Sequence, residues 1–208
     1  MATSRIINNV LVLGLGKVGT LVATLLDEGG FNVSGVDQLI HKNTPFKSIK
    51  GDIGDVKFLK KIMPDYDAVV SCLPHQLNIT VFQTALSCNL HYFDLTEDVP
   101  STEHMQKAAK NAKTVIAPQC GLAPGFISIV GADIAKQYKS IRSIELRVGA
   151  LPQHPKGDLG YAFNWSPEGV VNEYLNDCKV IRNGKTQYVP SMQDLETIVI
   201  RGRVLEAF

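Results

Sequence analysis

A chain of 208 residues, 45% of them hydrophobic, has room for one large domain or two small ones with a proper core. A formal net charge of +1 without a basic stripe argues against a nucleic-acid partner, and no apolar run reaches membrane-spanning length. Cys72, Cys88, Cys120 and Cys178 are too far apart for a zinc knot or a redox dithiol, the histidines are dispersed, and no signal-peptide pattern opens the chain, so a cytoplasmic protein with free thiols and no metal is expected.

Asn9 to Leu13 (NVLVL) is an aliphatic run suited to a buried parallel strand. Gly14-Leu15-Gly16-Lys17-Val18-Gly19 follows without a gap. In such a turn Gly14 permits the tight bend, Gly16 lets the backbone approach a pyrophosphate, and Gly19 lets the helix pack close to the sheet. Val18, Leu21, Val22, Leu25 and Leu26 then repeat at helical spacing, and Gly29-Gly30 stops the helix. Its first N–H groups, those around Lys17 and Val18 included, would face the phosphates. Phe31 to Val36 reads as the second strand, closed by Asp37. A carboxylate there accepts bonds from the adenosine ribose hydroxyls and repels a 2′-phosphate, so NAD is expected over NADP, with Lys42 as the nearby cation that opposes this preference. An S-adenosylmethionine or flavin site uses a related crevice and stays open as an alternative.

The alternation continues with a weak strand at Phe46 to Lys50 and the turn Gly51-Asp52-Ile53-Gly54-Asp55, where Asp52 either reaches the adenine edge or serves as a turn or cap acid. A helix over Val56 to Ile62, a strand over Asp67 to Cys72, and the sequence Leu73-Pro74-His75 come next. Helices at Ile79 to Leu86 and Glu103 to Ala112, with strands at Leu90 to Leu95 and Thr114 to Ala117, complete an α/β doubly wound parallel sheet over residues 1–122. Ligands in such sheets lie beyond the carboxyl ends of the strands, which gathers Cys72 to His75, Asp94 to Asp98 and Gln119 to Gly125 around one crevice.

Residues 123–208 read as a partial second domain with a mixed or antiparallel sheet. A helix from Ala123-Pro124-Gly125 through Ile134 leads into a strand at Ile141 to Gly149, with Ile144, Leu146 and Val148 on one face. A loop spans Leu151 to Tyr161, Asn183-Gly184 favours a type I′ hairpin turn, and Ile198 to Ile200 is a further strand. An exposed sheet edge in a domain of this kind invites pairing, so a homodimer is expected.

The blocks VLVLGLGKVG (10–19), DAVVSCLP (67–74), YFDLTED (92–98), PQCGLAPGF (118–126), Asn164-Trp165-Ser166-Pro167-Glu168-Gly169 and Gly202-Arg203-Val204-Leu205-Glu206-Ala207-Phe208 resemble the saccharopine dehydrogenase-like family, near its lysine 6-dehydrogenase branch. The resemblance implies a Rossmann domain, a second domain on a mixed sheet, and hydride transfer between a nicotinamide and an amine-bearing carbon of an amino acid such as lysine or saccharopine. It covers only the front part of the family's usual length. A non-catalytic NAD-binding protein, or one part of a split enzyme completed by a separate chain, is therefore the alternative.

Three residues are singled out for chemistry on a small amine or amino-acid substrate. His75 either relays a proton at the nicotinamide end or caps the helix. Asp94, with Glu97 and Asp98, forms an acidic rim that attracts an amine or serves a helix start. Cys120 contacts nicotinamide or substrate, or is a packed thiol. Cys72, Leu73 and Pro74 line the cofactor, and Asn164 and Trp165 either reach over the substrate or belong to the core.

Overall fold

The computed structural model describes residues 6–157, 160–163 and 166–208, and the chain divides into two compact units, Met1–Ile144 and Glu145–Phe208. The first is a six-stranded parallel sheet. Its strands are β1 (Asn9–Leu13), β2 (Asn32–Asp37), β3 (Lys47–Lys50), β4 (Ala68–Ser71), β5 (His91–Asp94) and β6 (Ile116–Ala117), in the order β3-β2-β1-β4-β5-β6. The chain leaves β1 toward one edge and returns to its other side at β4, so the order reverses between these two strands. That reversal opens the crevice in which α/β sheets hold ligands.

Strand alternation builds the two layers. Val10 and Val12 point to one face of β1, where Leu15, Ala23, Val33 and Ala68 pack beneath α1 (Lys17–Glu28). Leu11 and Leu13 point to the other face, against Leu59 of α2 (Val56–Ile62), Val81, Phe82 and Ala85 of α3 (His75–Ser87) and Met105 of α4 (Val99–Ala109). Every residue of β1 after Asn9 is buried, as befits a central strand covered on both sides.

Two helices begin earlier than the apolar periodicity predicts. For α3, Pro74 supplies the N-cap with an extended backbone, and the polar first turn that reads as loop is partly internal, since Asn78 is buried. For α4, Asp98 accepts a hydrogen bond from the Ser101 amide and Pro100 occupies the first turn, so the cap and proline set the start rather than the apolar stripe. The helix α5 (Phe126–Ala135) belongs to the first unit and has no buried residue.

In the second unit α6 (Pro167–Leu175) is capped by Ser166, whose hydroxyl accepts from the Gly169 amide at 3.1 Å. Two antiparallel hairpins follow. The strands β7 (Cys178–Arg182) and β8 (Lys185–Val189) turn at Asn183-Gly184, and β9 (Glu196–Ile200) and β10 (Arg203–Ala207) turn at Arg201-Gly202. Both central residues of each turn have positive φ, as a type I′ turn requires. Residues 141–149, expected as a strand, form none among the described residues. Alternation marks a two-faced surface, but a strand also needs a neighbour for its N–H and C=O groups, and Ile144, Leu146 and Val148 are all exposed.

Candidate dinucleotide-binding crevice

The glycine turn is built by close contacts that other residues would break. Gly14 adopts φ +86°, and a Cβ there would lie 2.8 Å from the Cys72 carbonyl oxygen. A Cβ on Gly19 would lie 1.8 Å from the Gly14 carbonyl oxygen, so this position seats the first turn of α1 on the loop. Gly16, the N-cap of α1, differs: a Cβ there meets nothing within 4 Å, and no side chain caps the helix. The amides of Lys17, Val18 and Gly19 begin the helix and, by position, lack intrahelical partners. This open, uncapped helix start fits a pyrophosphate.

Two features beneath the turn escaped sequence reading. Leu15 is buried because Gly35 on β2 leaves room for it; a Cβ on Gly35 would come within 2.5 Å of the Leu15 side chain. The Asp37 carboxylate also ties the turn down, with Oδ2 accepting from the Leu15 amide at 2.8 Å and Oδ1 from the Leu39 amide at 3.2 Å. Burial works against its charge, but the amides of Leu15, Leu39 and Gln38 together with His41 hold the carboxyl below the usual carboxylate range. Each oxygen keeps lone-pair capacity for a sugar hydroxyl. Asp52 lies just past β3, exposed, with Oδ1 accepting from the Gly54 amide at 2.9 Å in a side-chain turn.

On the other side of the reversal, the Cys72 amide donates to the Leu13 carbonyl, so Cys72, Leu73 and Pro74 leave β4 directly beside the glycine turn. Burial, with the Asp94 charge beside it, pushes the Cys72 thiol up to about 12. His75 is the first residue of α3 and is half-buried. Cys120 is exposed, and its thiol donates to the Ala117 carbonyl at 3.3 Å. Although the residue as a whole is exposed, partial desolvation of the sulfur and the Asp94 charge raise this thiol too, so at neutral pH it is protonated rather than a nucleophile.

Asp94 has a different setting from the acidic rim expected of it. It is 0% exposed. Its Oδ2 accepts from the Tyr92 hydroxyl at 2.8 Å, and its Oδ1 from the Thr96 and Gln119 amides at 3.0 and 3.2 Å. Burial raises its carboxyl above the usual range, with Glu97 adding to the rise and the three donors opposing it. The period-two placement of Tyr92 and Asp94 on one face of β5 is the signal that would have suggested a buried pair. Asp98 serves as the α4 cap, and Asn164 and Trp165 lie outside the described residues. Among the described residues no group of three or more His, Cys, Asp or Glu is arranged to hold a metal ion, and no helix is long and apolar enough to cross a membrane.

Two family models cover nearly the whole chain. Residues 10–117 match the saccharopine dehydrogenase NADP binding domain, and residues 121–208 match the saccharopine dehydrogenase C-terminal domain. Among curated relatives, the L-glutamate-forming, NADP(+) saccharopine dehydrogenase of Saccharomyces cerevisiae is 26% identical over 196 residues, 88% of this chain and 44% of the yeast protein. The mitochondrial alpha-aminoadipic semialdehyde synthase of Rattus norvegicus is 25% identical over 190 residues, 85% of this chain and 20% of the rat protein. The solved apo structure of the L-Glu-forming yeast saccharopine dehydrogenase shares the fold with a TM-score of 0.68 and 23% identity, over 96% of this chain and 48% of that one. The chain thus spans less than half the length of these relatives. A glycine turn, a strand reversal and both domain models in sequence order agree, and the chain belongs to the saccharopine dehydrogenase family.

Proposed function

We propose that this chain binds a nicotinamide dinucleotide at the turn from Gly14 to Gly19 and serves an oxidoreductase acting on the CH–NH or CH–NH2 group of an amino acid such as saccharopine or lysine. The observation that carries this reading is the uncapped, open start of α1 at Gly16, held beside Asp37. When bound, the nicotinamide supplies the hydride donor or acceptor of the reaction. The chain's residues do the rest. The amides of Lys17 to Gly19 bind the pyrophosphate, and Asp37 orients the adenosine ribose. His75, at the start of α3, is the group suited to relay a proton near neutral pH. Cys120 contributes packing and a weak donor at the mouth of the crevice.

For the nucleotide itself we favour NAD. A carboxylate held ionised at the end of β2 repels a 2′-phosphate, and no arginine follows it, although His41 and Lys42 stand four and five residues on. The domain model's description names NADP, so the preference is a property to be measured on this chain. Four unpaired thiols suit a reducing compartment such as the cytoplasm. Fluorescence titration of the purified chain with NADH and NADPH is the test. Saturable binding with NADH tighter by at least about tenfold, one unfavourable charge contact of about 1.4 kcal/mol, supports the reading. Tighter binding of NADPH overturns the assignment to Asp37. Saccharopine- or lysine-dependent formation of reduced nicotinamide then tests the reaction class.

A further inference from the structure

Buried polar side chains are concentrated under the His75–Cys120 end of the crevice. Ser71 closes β4, Asn78 lies one turn into α3, Tyr92 and Asp94 share a face of β5, and Thr96 follows it; none is more than 5% exposed. They are connected. Ser71 Oγ donates to Asn78 Oδ1 at 2.7 Å, and the Tyr92 hydroxyl donates to Asp94 Oδ2 while lying 3.4 Å from the Asn78 carbonyl oxygen. Beyond Asp94 the connection reaches the corner after β6. The Gln119 amide donates to Oδ1, and the Cys120 amide donates to the Asp94 carbonyl at 2.7 Å. Gln119 has φ 62°, a left-handed backbone that a residue with a Cβ adopts only when its surroundings impose it.

We propose that Asp94 is a positioning residue, which holds the Gln119–Cys120 corner against the carboxyl end of β5 at the His75–Cys120 end of the crevice. The inference rests on the dinucleotide reading above and deepens it, since these segments form the nicotinamide side of the crevice. The carboxylate has no ion-pair partner among the described residues; Tyr92, Cys72, Cys120 and Glu97 are the titratable groups that act on it. A buried acceptor this costly is retained where several donors converge, and here three donors from two loops and one strand do so. Asn can reproduce the arrangement without charge: its Oδ1 accepts from Thr96 and Gln119, and its NH2 donates to the Tyr92 oxygen.

The test compares the full chain with Asp94→Ala and Asp94→Asn by NADH titration and by the pH profile of Cys120 alkylation with iodoacetamide, read by peptide mass spectrometry without nucleotide. Asp94→Ala is expected to weaken NADH binding about tenfold, and Asp94→Asn to recover affinity to within about threefold. Asp94→Asn is also expected to move Cys120 alkylation to lower pH, because the like charge beside the thiol is gone. Two results overturn the proposal: a folded Asp94→Ala with wild-type affinity and wild-type Cys120 alkylation, or an Asp94→Asn as weak as the alanine variant. If Asp94→Ala does not fold, the Asp94→Asn affinity decides, and a loss of about tenfold or more overturns the proposal. If the wild-type chain binds neither NADH nor NADPH, the dinucleotide reading fails, and Cys120 alkylation at one pH judges the positioning claim alone: equal rates in wild type and a folded Asp94→Ala overturn it.

Discussion

Gly16 and Gly19 look equivalent in the glycine motif but answer to different constraints. At Gly19 an added methyl group collides with the Gly14 carbonyl, which belongs to the backbone and cannot rotate away. Gly19→Ala is expected to lower stability by about 1–3 kcal/mol, the usual cost of overpacking. At Gly16 the same methyl meets open space, so Gly16→Ala should cost only the weaker N-cap, about 0.5–1 kcal/mol. Thermal denaturation of both variants checks the contrast, and equal Tm losses would contradict it. Asp37 adds a pH signature. Its folded carboxyl titrates lower than in the unfolded chain, so its stabilisation is complete above the unfolded value and is lost as pH falls through the folded one. Acid denaturation of Asp37→Asn should therefore show a weaker loss of stability in that acid window than wild type, with the two curves parallel near neutrality. The opposite ordering would mean that the Leu15 and Leu39 amides do not hold the carboxylate.

At the scale of elements, much was legible because the signals were local. NVLVL has the composition of a two-sided buried strand, the glycines mark the turn after it, and Asn183-Gly184 specifies its hairpin; all three appear as expected. What was not legible depended on distant partners. The 141–149 segment has strand alternation, but no sequence pattern says whether a neighbour pairs with it. The internal acceptor role of Asp94 depends on Gln119, brought in by a β6 of only two residues. The helix α6 was missed because its start rests on a serine cap and a proline rather than an apolar stripe. Local stability should follow the same division. The strands β1 and β4 are paired on both sides and buried, whereas the β7–β8 and β9–β10 hairpins are two-stranded, with Ile181, Tyr188, Val199 and Val204 exposed. Native-state hydrogen exchange is expected to show slow amides in β1 and β4, and exchange faster by orders of magnitude in the hairpins. Comparable protection in both would show that the hairpins are covered.

At the scale of the whole molecule, the first unit and the remainder differ in kind. The first unit has a layered core on both faces of its sheet, with every element of the crevice supplied by its own strands. The second unit matches a C-terminal domain model, yet its hairpins belong to separate sheets, and the relatives carry more than twice this length of chain. Dinucleotide binding is thus the narrower proposal, confined to residues of the first unit, and the reaction is the broader one built on it. Isothermal titration of NADH into wild-type protein and Gly16→Ala tests that claim most directly. Saturable wild-type binding, weakened about tenfold or more in a folded Gly16→Ala protein, is the predicted result. Equal affinity of the two proteins, or no binding by a folded wild-type chain, would contradict a dinucleotide site at the start of α1.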